Sequence, residues 1–249
     1  MQLSGNTILI TGGGTGIGQA LALALAENNQ VVICGRRPQP LNETVERDCR
    51  IKAYPCDITN ADDVETLRRK LQADELHVNM LINNAAILNH YHLGKPEDFD
   101  AIQATTELHA NLTAPITLTM AMLPQLLNTT NPVIINIGSP GGVVPVSPTP
   151  IYSASKAGLH TFTQILRLHL KGKATVVEVF PPTVDTAMTG ALNRKKMSTA
   201  DCLPAILKGL AAGAEEVWVG EGRIVRWLMN LLPPGWVFKL VSSQPSMKV

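Results

Sequence analysis

One stretch of sequence decides the fold, and it reads Thr7-Ile8-Leu9-Ile10-Thr11-Gly12-Gly13-Gly14-Thr15-Gly16-Ile17-Gly18. Its first five residues are β-branched or aliphatic, as in a strand buried on both faces of a parallel sheet. A glycine turn follows, and an alanine- and leucine-rich segment then begins a helix that runs to about Ala26. This order predicts a cradle for nucleotide phosphate, because glycine lets backbone N–H groups approach a phosphate at a helix N-terminus. An ordinary flexible turn is the alternative, and the residues downstream must decide.

The composition indicates one large domain with an aliphatic core, spanning residues 1–249. The chain has 249 residues, of which 45% are apolar and only 4% aromatic, which suits a parallel sheet covered by helices. The net charge of +1 gives no footprint for nucleic acid, so we expect no nucleic-acid partner.

The cysteines indicate a reducing compartment. Cys34, Cys49, Cys56 and Cys202 show neither CxxC nor Cys/His spacing, so we expect free thiols and no metal site. No signal peptide precedes the first strand, and no stretch resembles a membrane span. The sequence therefore predicts a cytoplasmic protein.

Six further apolar segments predict strands separated by helical segments: Val31–Cys34, Ile51–Cys56, Val78–Ile82, Val133–Ile137, Thr175–Phe180 and Val217–Gly220. Thr59-x-x-Asp62 predicts a capping box for a helix from Ala61 to Leu71. Alternation of strands and helices predicts an α/β fold, a single-domain Rossmann-type doubly wound parallel sheet flanked by helices. Ligands of such sheets bind beyond the carboxyl ends of the strands.

Residues 108–155 contain no Asp, Glu, Lys or Arg. Their first part, with the residues from Pro96 to Leu127, predicts a helix that bends near Pro115. A helix so poor in charge is expected to be covered, in part by another subunit. The apolar C-terminal segment around Trp227 and Trp236 indicates core or subunit packing rather than membrane contact. We therefore expect a homodimer or homotetramer.

Arg36 and Arg37 follow the second strand, where folds that prefer NAD carry an acidic residue for the ribose 2′-OH. A guanidinium here favours a 2′-phosphate and predicts a preference for NADP(H), with NAD(H) possible. A solvated turn is the alternative for both arginines.

Tyr152 and Lys156 are four residues apart and therefore lie on one helix face. A tyrosine titrates near 10, too high for efficient proton transfer at neutral pH. An ammonium about 4 Å away favours the phenolate by up to ~4 kcal/mol, about three pKa units. A Tyr-x-x-x-Lys pattern alone is common by chance. Ser139, at the end of a predicted strand, makes the combination with Tyr152 and Lys156 a specific sign of a catalytic site.

In these residues the chain resembles a classical short-chain dehydrogenase/reductase over nearly its whole length. The matching motifs are Thr11-Gly12-x-x-x-Gly16-Ile17-Gly18, Asn83-Asn84-Ala85, Asn111, Ser139 and Tyr152-x-x-x-Lys156. The resemblance implies hydride transfer between a nicotinamide and a carbonyl or alcohol carbon of a small molecule. Tyr152 would exchange the proton, Ser139 would orient the oxygen, and Lys156 would lower the tyrosine pKa and hold the ribose. Asn111 would anchor a water that relays protons to Lys156.

The resemblance also implies a set of cofactor contacts along the edge of the sheet. They are Gly12, Thr15, Gly16, Ile17, Gly18, Arg36, Arg37, Asp57, Ile58, Asn84, Ala85, Ala86, Tyr152, Lys156, Pro181, Thr183, Val184 and Thr186. A substrate lid is expected at about residues 185–204. The remaining substrate pocket is expected from residues 88–98 and 141–150, and His90 and His92 are expected to be solvated.

Two departures from the family pattern point to a subgroup. Ala86 stands where glycine is usual, and Pro182 replaces the glycine of the usual Pro-Gly, which removes a backbone N–H. Pro181-Pro182-x-Val184-Asp185-Thr186 resembles the DltE-like subgroup, linked by name to D-alanylation of teichoic acids. The alternative function is a catalytically idle nucleotide-binding or scaffold protein, connected with that cell-envelope process.

Overall fold

The computed structural model describes residues 1–190 and 195–242, and within them one parallel sheet organises the chain. Its strands are β1 (Thr7–Thr11), β2 (Gln30–Gly35), β3 (Lys52–Pro55), β4 (Met80–Asn83), β5 (Val133–Ile137), β6 (Thr175–Phe180) and β7 (Glu216–Trp218). All seven are parallel, in the order β3-β2-β1-β4-β5-β6-β7. The predicted Rossmann-type doubly wound sheet is confirmed, because the order reverses direction at β1.

Helices cover both faces of this sheet. They are α1 (Gly16–Leu25), α2 (Pro38–Arg47), α3 (Ala61–Ala73), α4 (Ala101–Leu108), α5 (Ala114–Leu127), α6 (Pro150–His169), α7 (Thr199–Ala211), α8 (Gly222–Leu231) and α9 (Pro234–Ser242). Helices α1, α2 and α7 pack on one face, and α3, α5 and α6 on the other. Among the described helices none is long and apolar enough to cross a bilayer.

The strands are buried because both sheet faces are covered. Every residue of β4 and β5 is buried, which explains why these segments are continuous apolar runs rather than alternating ones. Two aliphatic clusters result, one on each face, built mainly from Ile, Leu and Val. The sheet is thereby a rigid base for the loops at its carboxyl edge.

The helix predicted from Pro96 to Leu127 begins only at Ala101, after a separate 3-10 turn at Pro96–Asp98, and its regular α-helical pattern is interrupted just before Pro115. A single turn of π-helix, His109–Thr113, joins α4 to α5, and Pro115 follows at once. Because Pro115 has no N–H, it cannot donate to the carbonyl of Asn111 four residues earlier. Such π-turns are frequent at functional sites, and this one carries Asn111.

Two local predictions need correction. The cap of α3 is Asn60, whose side chain accepts from the backbone N–H groups of Asp62 and Asp63; Thr59 instead donates to Asp57 at 2.7 Å. The expected lid also ends earlier than predicted, because α7 begins at Thr199 and packs on the core through Cys202. Residues 191–194 of the predicted lid lie outside the described residues.

A row of polar side chains crosses the sheet just below its carboxyl edge. Asn83 on β4 is in register with Asn136 on β5, which is in register with Glu178 on β6. Asn83 Nδ2 donates to Asn136 Oδ1 at 2.8 Å, and Asn136 Nδ2 donates to Thr163 on α6 at 2.8 Å. These hydrogen bonds let polar groups replace aliphatic side chains inside the core.

Glu178 is the acidic residue of this row, and its side chain is only 1% exposed. Its Oε2 lies 2.7 Å from His160 Nδ1 on α6, whereas Oε1 has no hydrogen-bond partner within the described residues. The hydrogen bond to Glu178 raises the pKa of His160, and burial raises the pKa of Glu178. The His160 imidazole therefore offsets part of the unfavourable free energy of burying the Glu178 carboxyl.

We predict that His160→Ala destabilises the protein by about 3 kcal/mol at neutral pH, because it leaves Glu178 buried without its partner. The free energy of unfolding of this variant should be larger at pH 5.5 than at pH 8. The unpaired carboxyl has a folded pKa above its unfolded value, so folding takes up a proton and stability falls as the pH rises. Urea denaturation at both pH values measures the effect.

The double variant His160→Ala/Glu178→Gln serves as control, since neither group titrates in it and its own free energy of unfolding should change less between the two pH values. A pH dependence in His160→Ala no larger than in the double variant would mean that the Glu178 charge plays no part.

Candidate active site

A cavity of about 840 Å³ lies along the carboxyl edge of the sheet. Arg36 and Arg37 line it beyond β2, the glycine turn lines it beyond β1, and Tyr152 and Lys156 line it beyond β5 and β6. The strand order thus brings together residues more than a hundred positions apart. A long cavity of this kind fits an extended dinucleotide.

The glycine turn forms the cradle that the sequence predicts. Gly12 and Gly16 have φ values of +66° and +57°, a region that other residues rarely adopt. A Cβ at Gly14 would lie 3.0 Å from Pro40. The N-cap residue of α1, Thr15, makes no side-chain cap, so the backbone N–H groups at this helix start face the cavity without a side-chain acceptor. These features fit a dinucleotide phosphate.

Gly18 has a different place from the one expected. It is buried and does not line the cavity; a Cβ there would collide with Asn84 Nδ2 and the carbonyl of Gly12. Glycine at this position therefore allows α1 to pack against the turn. Gly14, absent from the predicted contacts, does line the cavity.

Asn84 fixes the turn to the neighbouring strand. Its Nδ2 donates to the carbonyls of Thr11 at 2.9 Å and Gly12 at 3.3 Å. Thr11 Oγ1 accepts from the backbone N–H groups of Asn84 and Ala85, both at 3.0 Å. Ala85 and Ala86, together with Asn84, also line the cavity.

Residues at the β2 and β3 end form the opposite pole of the cavity. Arg36 and Arg37 are exposed and make no ion pair within the described residues. Asp57 is held by Thr59, whose N–H and hydroxyl donate to Oδ1 at 3.0 and 2.7 Å. Asp57 and Ile58 line the same end. Two guanidinium groups are thus available to an anion.

Ser139, Tyr152 and Lys156 meet at the other end. Ser139 follows β5, where its Oγ accepts from the N–H of Gly141 at 3.1 Å. Tyr152 and Lys156 lie one turn apart on α6, with Lys156 Nζ 5.7 Å from the centre of the Tyr152 ring. Lys156 Nζ donates to the carbonyl of Ile137 at 2.8 Å, which holds the ammonium beneath the strand end.

The electrostatics of this pair differ from the expectation. Burial raises the pKa of Tyr152 to about 12, although the hydrogen bond with Ser139 lowers it. Burial lowers the pKa of Lys156 to about 8, against the effect of Glu178. The expected lowering of the Tyr152 pKa by Lys156 is not found in this arrangement, in which the ammonium is held against the carbonyl of Ile137.

Asn111 lies beside the site rather than in its wall. Its Oδ1 accepts from the N–H of Ile87 and its Nδ2 donates to the carbonyl of Ile87, both at 2.8 Å. Nδ2 also contacts Ser155 Oγ at 3.2 Å. The side chain thus ties the segment after β4 to α6, and it does not line the cavity.

Two acids near the site were not predicted. Glu107, fully buried on α4, accepts from Asn89 Nδ2 and the Tyr91 hydroxyl, both at 2.9 Å, and so holds the loop after β4. Glu178 acts on Lys156 from below. Both are single acids in apolar segments, and only their burial distinguishes them from surface residues.

The segment after β6 closes the cavity from above. Pro181, Thr183, Val184 and Thr186 line it as predicted, and so does Pro182. A β-bridge joins Val184 to Met197. Lys196, expected to be solvated, lies 3.9 Å from Asp185 Oδ1 and donates to the carbonyl of Gly190.

The substrate side includes a wall that the sequence did not indicate. Leu88, Gly141, Val144, Val146 and Thr149 come from the predicted loops. Helices α8 and α9 supply the additional lining residues Glu221, Gly222, Ile224, Val225, Leu228, Leu240 and Val241. His90 and His92 are exposed, and the described residues contain no cluster that could hold a metal.

Comparison with known proteins agrees with this architecture. A family model described as short chain dehydrogenase matches residues 6–197. The uncharacterized oxidoreductase DltE of Bacillus subtilis (strain 168) is 31% identical over 225 residues, which is 87% of this chain and 89% of that protein. A short chain dehydrogenase from Burkholderia cenocepacia, solved in complex with NADP, is 26% identical and superposes with a TM-score of 0.84, covering 98% of this chain and 100% of that one.

A second solved structure, a short chain dehydrogenase/reductase from Burkholderia phymatum in complex with NAD, shares the fold with a TM-score of 0.81 at 20% identity, over 93% and 96% of the two chains. The family model covers most of the chain, and the Bacillus subtilis relative is more than 30% identical over most of both chains. This chain belongs to the short-chain dehydrogenase/reductase family.

Proposed function

We propose that the protein is an NADP(H)-dependent oxidoreductase that transfers a hydride between the nicotinamide and a carbonyl or alcohol carbon of a small molecule. One observation carries this proposal: Ser139, Tyr152 and Lys156 meet at one end of a cavity whose other end holds Arg36 and Arg37. The cofactor, when bound, supplies the hydride, and the residues of the chain supply the proton and the orientation.

Tyr152 is proposed as the proton donor to the carbonyl oxygen. Its pKa of about 12 keeps the phenol protonated at neutral pH, as carbonyl reduction requires, but also makes it a weak acid. The proposal therefore requires positive charge from Lys156 to lower this pKa when cofactor and substrate are bound. Ser139 would orient the same oxygen, since it hydrogen-bonds with Tyr152. Alcohol oxidation would need the phenolate, so we expect that direction to gain rate as the pH rises.

Lys156 is proposed to hold the nicotinamide ribose and to supply positive charge beneath Tyr152. With a pKa of about 8 the ammonium is mostly protonated at pH 7. Asn111 is proposed as a positioning residue, because its side-chain amide is engaged with Ile87 and Ser155. A water relay would therefore use its backbone carbonyl, which Pro115 cannot reach.

The idle scaffold is not favoured. A protein that only binds nucleotide has no physical need for a buried lysine and a tyrosine facing the same cavity, since both require desolvation. A connection with D-alanylation rests on the name of a relative alone. We infer a cytoplasmic location, because all four cysteines are free thiols.

We predict that Tyr152→Phe lowers kcat more than tenfold while coenzyme affinity stays nearly unchanged. The proton is transferred only in the transition state, so ground-state binding should not suffer. Rates with NADPH and a carbonyl panel, with coenzyme titrated separately, measure both quantities.

Lys156→Ala is the comparison for this variant and should harm both rate and coenzyme binding, because Lys156 is proposed to contact the ribose. Should Tyr152→Phe retain more than about a tenth of the rate, a loss below ~1.4 kcal/mol, Tyr152 would not be the proton donor.

We predict that Arg36→Ala weakens NADPH binding about 10- to 100-fold, ~1.4–3 kcal/mol, and leaves NADH binding little changed. A guanidinium can hydrogen-bond a 2′-phosphate with charge assistance but gains little from a 2′-OH. Isothermal titration with both coenzymes measures the preference.

Arg37→Ala is the matched control, since both arginines are exposed on the same turn. A larger loss of NADPH affinity in Arg37→Ala would transfer the role to that residue. Unchanged NADPH affinity in both variants would mean that Arg36 and Arg37 are solvated turn residues that do not contact the coenzyme.

We further propose that the protein is a homodimer or homotetramer assembled through α5 and α6. Met120 in the charge-poor segment is 51% exposed, and Ile165 and Leu168 further along α6 are 50% and 66% exposed, so both helices present apolar side chains that their own chain does not cover. Light scattering of the parent protein should give at least twice 26.8 kDa at micromolar concentration. Ile165→Glu/Leu168→Glu should lower the mass to that of a monomer.

Leu93→Glu is the control for the charged double variant. Leu93 is 60% exposed in the loop after β4, and its replacement should leave the mass unchanged. A parent protein that is already monomeric would contradict the proposal.

A further inference from the structure

Helices α8 and α9 carry an exposed apolar surface on their outer side. Ile224, Trp227 and Leu231 are 60%, 61% and 60% exposed, and their spacing of three and four residues places them on one stripe of α8. On α9, Trp236 and Leu240 are 69% and 52% exposed, and their spacing of four residues places them on one side of the helix. We call these five residues the outer apolar surface. Exposed apolar surfaces of this kind mark an interaction site.

The same two helices form a wall of the active-site cavity. Val225, Leu228 and Val241 turn inward and line the cavity. Ile224 and Leu240 line the cavity and also belong to the outer apolar surface. The cavity therefore opens directly beside this surface, and the two are continuous through these rim residues.

The charge and aromatic content of this region indicate what covers it. From Gly222 to Val249 the sequence has four Lys or Arg residues and no Asp or Glu, whereas the whole chain has a net charge of +1. Two of the three tryptophans of the chain also lie here. Exposed tryptophans beside cations are typical of helices that lie in the interface of an anionic bilayer.

A lipid surface fits this location better than a second copy of the chain. A protein partner seated on Ile224 and Leu240 would cover the mouth through which substrate enters. A bilayer has mobile acyl chains, so its apolar interior can be continuous with the cavity. Helix α8 is anchored for such a role, since Arg226 pairs with Glu216 at 2.7 Å and Arg223 donates to the carbonyl of Trp218 at 3.0 Å.

We propose that the outer apolar surface docks on an anionic lipid bilayer, and that an apolar carbonyl compound enters the active site from it past Ile224 and Leu240. The substrate part rests on the proposed function. It is supported by the cavity wall, where aliphatic residues Leu88, Val144, Val146, Val225 and Leu228 surround the catalytic side chains. Glu221 is the acidic residue among the lining residues of α8 and α9, and it is exposed.

Docking is tested by co-sedimentation of the full chain with vesicles. Vesicles of phosphatidylglycerol and phosphatidylcholine in equal amounts should bind the protein, and phosphatidylcholine alone should bind it at least about tenfold less, because several cations contribute. Trp227→Ser/Trp236→Ser should weaken binding to the anionic vesicles at least about tenfold, because two large aromatic side chains are lost from the interface. Neither tryptophan lines the cavity.

Leu93→Ser/Ile102→Ser is the matched control, since these side chains are 60% and 82% exposed on another part of the molecule; its vesicle binding should equal that of the parent. Absence of binding by the parent, equal binding to both vesicle types, or unchanged binding by the tryptophan variant would overturn the docking proposal. A fall in molar mass caused by the tryptophan changes, without a change in vesicle binding, would assign the surface to a second copy instead.

The substrate class is tested with NADPH and a series of straight-chain aldehydes. The kcat/KM should rise about threefold to fourfold per added methylene until the cavity is filled, as expected for burial of ~0.8 kcal/mol per CH₂. A flat or falling series would overturn the apolar substrate. Lack of turnover with every aldehyde and ketone would instead contradict the proposed function, and the vesicle result does not depend on turnover.

Discussion

The junction between β1 and β4 is the constraint on which the site depends. At this point the strand order reverses, and the connections on either side leave a crevice at the carboxyl edge. The two halves of the sheet must nevertheless stay joined there. Asn84 and Ala85 hold them together by donating four hydrogen bonds, three to Thr11 and one to the carbonyl of Gly12. The glycine turn can approach a ligand only because its back is fixed in this way, and Gly18 is glycine for that reason.

The fold could be predicted from the sequence because each strand of a parallel sheet is buried on both faces and so leaves a continuous apolar run. Tyr152, Lys156 and Ser139 could be proposed as catalytic residues because their spacing matches a family motif. The wall from α8 and α9 could not, since their residues alternate between cavity and exterior and match no motif. Glu107 and Glu178 were also missed, because burial of an isolated acid is a property of tertiary packing rather than of local sequence.

The inner sides of α8 and α9 line the cavity, whereas their outer sides face solvent. Their inner side needs aliphatic groups to exclude water from the proton-transfer site, and their outer side keeps aromatic groups in contact with solvent in the isolated chain. Trp227 and Trp236 are 61% and 69% exposed, so most of their apolar area remains in contact with solvent in the isolated chain. Val237, fully buried, fixes α9 while leaving that outer side open.

Burying Lys156 is unfavourable for folding, and the structure offsets the loss with groups placed below the catalytic edge. The carbonyl of Ile137 accepts from its ammonium, and Glu178 supplies negative charge from the next layer. His160 then holds Glu178, so the charge of one catalytic residue is compensated through a chain of buried groups. Replacing these with aliphatic residues would relieve desolvation, but a lysine without them would lose its proton in the dry site. Glu178, His160 and the carbonyl of Ile137 are therefore best understood as the support that keeps a cation beside Tyr152.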